Sequence, residues 1–232
     1  ALQQPAPLDL RVNALTAARE KVMHQLAIEN IKVQATPYAP LGIRIDGNPA
    51  LALNPLFTSG RIEIQDEGSQ LLCYLVAPKR REMIVDFCAG AGGKTLALGA
   101  LMQSQGRLYA FDVSDSRLNK MKPRLKRSGL SNIHPQLLVN ENDIKVKRLA
   151  GKIDRVLVDA PCSGFGTLRR NPELKWRQTE AGIAELTAKQ SRIRTAAAAL
   201  VNPGGRLVFA TCAFIHAEYQ PFVSALPAAD PP

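Results

Sequence analysis

The stretch Ile84-Val85-Asp86-Phe87-Cys88-Ala89-Gly90-Ala91-Gly92-Gly93-Lys94-Thr95 decides the fold of this chain. A mainly apolar run, Ile84–Phe87, reads as a buried strand, and the glycine-rich turn after it opens an apolar helix at Gly93. From there strand and helix alternate. Strands are predicted at Arg107–Phe111, Ile133–Leu138, Ile153–Val158 and Arg206–Ala210. Helices are predicted at about Gly93–Gln103, Asp115–Ser128 and Glu180–Val201, with Pro203-Gly204-Gly205 stopping the last. Such alternation is the signature of an α/β protein with a parallel sheet flanked by helices.

Three nucleotide-type readings compete at the turn. A Walker phosphate loop needs Gly where the chain has Cys88, and the dinucleotide fingerprint needs its third Gly at Thr95, so both fail. What remains is a turn that lets a ligand approach the backbone closely. Asp112 closes the next strand, where a carboxylate can accept both ribose hydroxyls of an adenosine-type ligand. S-adenosylmethionine (SAM) fits: it needs the ribose acid and a close glycine turn, but no pyrophosphate cradle. The alternative is a purely structural turn. Asp143 is a candidate for the adenine or ribose edge, or else an ordinary turn residue within Asn140-Glu141-Asn142-Asp143.

Two further strands deliver thiols to the same sheet edge: Asp159-Ala160-Pro161-Cys162-Ser163-Gly164 and Ala210-Thr211-Cys212. Ligands in open α/β sheets bind beyond that edge. Two thiols there, one beside a carboxylate, suggest covalent chemistry on an electrophilic carbon. Cys73 and Cys88 read instead as small buried residues, with Cys88 serving a cofactor through its backbone. The four cysteines form no C-x-x-C pair and the three histidines have no ligand spacing, so neither a metal nor a disulfide framework is expected. Free thiols fit a reducing cytoplasm.

A chain of 232 residues, 46% hydrophobic, can bury one substantial domain and a smaller appendage. No apolar run approaches bilayer length, so no membrane partner is expected. The start, Ala1 to Pro5, has neither the features of a secretory signal nor an initiator Met, which reads as a processed chain or an excerpt of a longer one. The net charge of +10 favours a polyanionic partner, RNA above all. Residues 1–75 read as a small α+β module, incomplete at its N-terminus. In it Leu10–Asn13 is a strand and Thr16–Asn30 a helix, with Thr16 as N-cap and Val22, Leu26 and Ala27 on one face. Short β pieces follow at Gly42–Ile45 and Arg61–Gln65, then an apolar helix at Leu71–Ala77. Residues 76–232 form the second domain, ending in an Ala/Pro-rich tail. Arg117, Lys120, Lys122, Arg124, Lys126 and Arg127 crowd one helix, as a solvated face would. Arg169, Arg170, Lys175, Trp176 and Arg177, near the thiols, are the better candidates for RNA: cations hold phosphates and an aromatic stacks on a splayed base. The N-terminal module is a second candidate RNA surface.

These motifs, in order, resemble the RNA (cytosine-5) methyltransferases, most closely the bacterial Sun-type rRNA enzymes. The carriers are Gln65-Asp66-Glu67-Gly68-Ser69, the glycine turn, Asp159 to Gly164, Arg169-Arg170-Asn171-Pro172-Glu173 with Lys175-Trp176, and Thr211-Cys212. The resemblance runs from about Pro7 to Glu218. It implies a Rossmann-like SAM-dependent methyltransferase sheet that methylates C5 of a cytosine in RNA, ribosomal first and transfer RNA second. It further implies SAM contacts at Cys88, Ala89, Gly90, Ala91, Gly92, Gly93, Lys94, Asp112, Asp143 and Asp159. Cys212 would be the nucleophile and Cys162 the helper in product release. On chemical grounds Asp159 would hold the base, and Lys94 would either lower the nucleophile's pKa or serve as a capping or loop-stabilising residue. The chain departs from the family at Gly90-Ala91, Ala213 and Tyr219, and lacks the family's last two strands, which would leave Leu207–Phe209 on an open edge. Two other readings remain open: a SAM- or RNA-binding homologue or fragment impaired in catalysis, and a small-molecule methyltransferase, against which charge and paired thiols argue.

Overall fold

The computed structural model describes residues 5–224; Ala1 to Gln4 and the Ala/Pro-rich tail lie outside the described residues. β1 (Leu8–Val12), α1 (Arg19–Ile28), β2 (Val33–Ala35), β3 (Gly42–Ile45), α2 (Pro55–Thr58) and β4 (Ile62–Ile64) make a small antiparallel sheet, order β2-β3-β1-β4. This is the split β-α-β-β-α-β arrangement. Leu10, Val12, Ile43, Ile45 and Ile62 share one core with Val22 and Leu26 of α1. The polar residues of the same strands, Asp9, Arg11 and Glu63, are also buried, since this sheet is covered on its second side.

The first helix is shorter than its apolar pattern predicts. The Asn13 carbonyl accepts the N–H groups of Thr16 and Ala17, and its side chain that of Leu15, so a turn occupies these residues. Thr16 is therefore no cap; Ala18 holds that position, and Ala27 is exposed. The Pro/Gly-dense stretch conceals β2 and α2, where Asn54 caps by accepting from Leu56 N–H.

The larger body opens with α3 (Glu67–Val76), which starts earlier than predicted. Then come β5 (Met83–Asp86), α4 (Gly93–Leu101), β6 (Arg107–Asp112), α5 (Asp115–Ser128), β7 (Ile133–Leu137), α6 (Ile144–Lys147), β8 (Ile153–Asp159), α7 (Leu174–Arg177), α8 (Glu180–Ala198), β9 (Val201–Ala210) and α9 (His216–Ser224). The five strands are parallel in the order β7-β6-β5-β8-β9. One core joins Ile84, Leu108 and Leu157 to Leu96, Leu98 and Met121 of α4 and α5; a second, across the sheet, joins Val85, Phe111, Val156 and Val158 to Ile193 and Ala197 of α8. Burial on both faces is why these strands read as continuous apolar runs. The chain leaves β5 toward β6 and β7, then returns to β8 and β9 on the other side. That reversal opens a crevice beyond the ends of β5 and β8.

β9 differs from its prediction. It begins at Val201, and Pro203-Gly204-Gly205 is a bulge inside the strand, since Val201 pairs with Ile153 and Arg206 with Arg155. α8 stops before it, at Ala198. β9 is the edge strand, and Leu207, Val208 and Phe209 are half-buried.

Two basic residues of α5 are not solvated. Arg124 and Arg127 reach buried Glu63 of β4 at 2.8 and 2.6 Å, tying the small sheet to the large one. Such a pair strongly penalises loss of either partner, because the remaining charge stays buried.

Candidate active site

The glycine turn is fixed from two sides. Asp112, buried at the end of β6, accepts the N–H of Gly90 and of Ser114, each at 2.8 Å. Gly92 has φ +87°, and a β-carbon there would come 2.5 Å from Met121 Cγ of α5, so only glycine fits. Arg124 donates to the carbonyl of Ala91 at 2.7 Å. A helix thus holds the turn against the strand that precedes it.

The two thiols meet. Cys162 Sγ and Cys212 Sγ lie 2.9 Å apart, one in the loop after β8 and one after β9. A thiol of one donating to the sulfur of the other holds Cys162 down to about 7; the same bond, with burial, pushes Cys212 up. The pair behaves as two sulfurs sharing a proton. Cys73 and Cys88 are both pushed up to about 12 by burial, which leaves them inert as nucleophiles.

Lys94, in the first turn of α4, bonds Asp159 Oδ2 at 2.5 Å. Burial alone would push its ammonium down, yet the carboxylates of Asp159 and Asp86 hold it above its ordinary value. Of the two roles weighed for Lys94, this ion pair is the loop-stabilising one. What this ion pair does is orient the carboxylate beside the thiols.

A cavity of about 670 Å³ joins these parts. Phe87, Gly90, Asp112, Leu138, Asp159, Cys162 and Cys212 all line it; Asp112 ends β6 and the thiols follow β8 and β9, on opposite sides of β5. SAM fits this lining. A buried carboxylate stands at the ribose end, Phe87 and Leu138 offer apolar faces to an adenine, and Gly90 has open space where a side chain would stand. Ala91, Cys88 and Asp159 also line a second cavity of about 430 Å³, together with Ala89, Gly93 and Lys94.

Not every expected contact is brought together. Asp143 caps α6, accepting from Lys145 N–H and Val139 N–H at 2.9 Å each, and lines neither cavity. Glu141 is the acid of that loop at the cavity wall, paired to Arg192. Among the proposed RNA contacts, Arg170 pairs with Asp66, and Arg169 donates to the Pro5 carbonyl. Both therefore bridge the loop to the N-terminal segment. Trp176 is 81% exposed with the Lys175 ammonium 4.9 Å from its ring centre, and Arg177 follows on the same short helix.

Sequence reasoning missed the groups that position the thiol loops. Glu218 of α9 accepts the Ser163 N–H at 2.9 Å and the Gln190 amide at 3.1 Å, while Gln190 also donates to the Pro161 carbonyl at 2.9 Å. Both side chains are fully buried. A lone Glu or Gln in a polar helix gives no pattern to read. Gly166 fixes the other loop: its N–H donates to the Cys212 carbonyl at 2.6 Å, and a β-carbon would stand 2.5 Å from that oxygen. Gly166→Ala must therefore push the Cys212 backbone aside. It is expected to lower kcat by about 10²-fold, the scale of a 1 Å misplacement, with SAM affinity by calorimetry unchanged.

Among the described residues no helix is long and apolar enough to cross a membrane, and no group of three or more His, Cys, Asp or Glu could hold a metal. Residues 73–228 match the family described as 16S rRNA methyltransferase RsmB/F, and residues 1–52 an RsmF/B-like ferredoxin-like domain. A probable ribosomal RNA small subunit methyltransferase B of Synechocystis sp. is 40% identical over 222 residues, 94% of this chain and 49% of the relative. A probable counterpart in Bacillus subtilis is 33% identical over 227 residues, 95% of this chain and 49% of that one. The crystal structure of a methyltransferase homolog protein from Pyrococcus horikoshii, 29% identical, superposes with a TM-score of 0.84 over 96% of this chain and 70% of its own. The chain spans about half the length of the curated relatives it matches.

Proposed function

Because the chain belongs to the 16S rRNA methyltransferase RsmB/F family, we propose that it transfers a methyl group from SAM to C5 of a cytosine in ribosomal RNA, in the cytoplasm. The observation that carries this reading is the 2.9 Å approach of Cys162 and Cys212 in the cavity that also holds Asp112, the glycine turn and Asp159. SAM, when bound there, supplies an electrophilic methyl group.

Cytosine C5 is a poor carbon nucleophile, and the residues at the thiol end answer that difficulty. Cys212 adds its sulfur to C6, giving C5 enamine character. Its proton passes to the Cys162 sulfur, the nearest base. Asp159, oriented by Lys94, accepts a hydrogen bond from the exocyclic amine and holds the base edge. After methylation and release of its proton to water, Cys162 takes the C5 proton. The C5–H electrons re-form the C5–C6 double bond, and the C6–S electrons return to Cys212. The base must leave its stack to reach these sulfurs.

In this reading residues 76–232 form the catalytic domain and residues 1–75 an RNA-engaging module. Lys175, Trp176 and Arg177, exposed beside the thiol loops, take the flanking strand by charge and stacking. Arg169 and Arg170 lie between the two parts. Transfer of tritium from methyl-labelled SAM to unmethylated 16S rRNA, with nuclease digestion yielding labelled 5-methylcytidine, is the expected result. Label on another atom or base would overturn the C5 assignment. Incorporation into small molecules but not RNA would favour a different methyltransferase.

A further inference from the structure

Cys162 and Cys212 are held together by more than their own contact. The residues on either side of Cys162 are pinned: the Pro161 carbonyl accepts from the Gln190 amide, and the Ser163 N–H donates to Glu218, each at 2.9 Å. Gln190 and Glu218 are themselves fully buried. Cys212 is tied to the same loop, its carbonyl accepting the Gly166 N–H at 2.6 Å. The sulfurs therefore cannot drift apart without breaking bonds inside the protein. At 2.9 Å they stand within reach of a bond whose ordinary length is about 2 Å. Both also meet the outside: Cys212 is exposed, Cys162 is partly so, and both line the cavity of about 670 Å³. The other two thiols differ, since burial pushes Cys73 and Cys88 up to about 12.

An accessible thiolate with a second sulfur at contact distance is the arrangement that hydroperoxides oxidise in two steps. We propose that Cys162 and Cys212 form a covalent modification site, where hydrogen peroxide links the two sulfurs as a disulfide and so removes the nucleophile from methyl transfer. The linkage itself stands on the contact of the sulfurs; its effect on methyl transfer rests on the reading above. The Cys162 thiolate attacks one peroxide oxygen. The O–O bond breaks, and its electron pair leaves on hydroxide, which becomes water with the proton that Cys162 released. Cys162 is then a sulfenic acid. The Cys212 sulfur attacks it, the S–O bond breaks, and the hydroxyl leaves as water with the Cys212 proton. Two thiols and one peroxide give one disulfide and two waters. Cys162 reacts first, because its hydrogen bond with Cys212 holds it down to about 7. A thiol reductant reverses the linkage by exchange. The linkage also keeps Cys212 from passing on to sulfinic acid, which no simple thiol restores.

The test treats the reduced chain with a slight molar excess of hydrogen peroxide, digests it without reductant and identifies joined peptides by mass spectrometry. Thiols titrated in denaturant are expected to fall from four to two, with the Cys162 and Cys212 peptides joined. Methyl transfer to 16S rRNA should fall in proportion to the linked fraction and vanish when linkage is complete, and dithiothreitol should restore it. Cys73→Ala should leave the linkage as it is. Cys162→Ala should abolish it, with Cys212 passing instead to a sulfinic acid that dithiothreitol does not reverse. A linkage through Cys73 or Cys88, or between two chains, would overturn the proposal. So would a sulfinic acid at Cys212 of the unaltered chain with Cys162 still a free thiol, or full methyl transfer by the linked protein. A Cys162–Cys212 disulfide in a chain that transfers no methyl group before oxidation would overturn the proposed function and leave the modification site standing.

Discussion

Cys212→Ala is expected to abolish methyl transfer, by about 10⁴-fold or more, as removal of a nucleophile does. SAM affinity should be intact, because Cys212 follows β9, which β5 and β8 separate from Asp112 at the end of β6. The diagnostic measurement is covalent trapping on RNA carrying 5-fluorocytosine. Fluorine at C5 cannot leave as the proton does, so the adduct cannot resolve, and it migrates with protein on a denaturing gel. Unaltered protein should give the band and the Cys212→Ala variant none; a band surviving in that variant would assign the nucleophile elsewhere. The pH dependence follows from the shared proton. Cys162 is held down to about 7 by its hydrogen bond with Cys212. Thiolate accumulates as pH rises, so the trapping rate should climb through about pH 7 and then level off. The charge enters the pair at Cys162 and reaches the nucleophile as the Cys212 proton crosses 2.9 Å.

Cys162→Ala is expected to do something different. Addition to C6 can still occur once Cys212 ionises by itself, but the sulfur that removes the C5 proton is gone. Turnover should fall by about 10² to 10⁴-fold, the range of general acid–base catalysis. Protein bound covalently to ordinary cytosine RNA should accumulate, which the unaltered chain does not permit. The trapping profile should also move to higher pH, toward the ordinary thiol value of about 8.5, since Cys212 has lost its partner. Normal turnover without adduct would remove Cys162 from the chemistry and leave it a packing residue. The Glu218 and Gln190 bonds to the Cys162 loop make that loop rigid, so a truncation at Cys162 should not collapse it.

Much of the large domain could be read from one dimension. α5 runs over Asp115–Ser128 as its pattern predicts, because Ser114 caps it and Gly129 takes the left-handed conformation that ends it. Strands buried on both faces announce themselves as apolar runs, and β5 to β8 fall within a residue of expectation at each end. The N-terminal module was less legible. Three-residue β2 and one-turn α2 are too short for periodicity, and packing with their neighbours defines them. At β9 local turn chemistry misled: Pro203-Gly204-Gly205 looks like a helix stop, yet pairing with β8 on both sides makes it a bulge.

By itself the sequence determined the order of strand, turn and helix, the acid after the second strand of the large sheet, and the two thiols at strand ends. These are local facts, set by hydrophobic period and turn chemistry. Only the tertiary structure decided that Lys94 spends its charge on Asp159, that Asp143 caps a helix, and that Arg124 and Arg127 close on Glu63. Partners of a charge are separated by up to 104 residues in the chain, and the fold chooses them. An ion desolvated by packing must find whichever opposite charge the fold brings within reach, and no pattern of neighbours in sequence encodes which one that is.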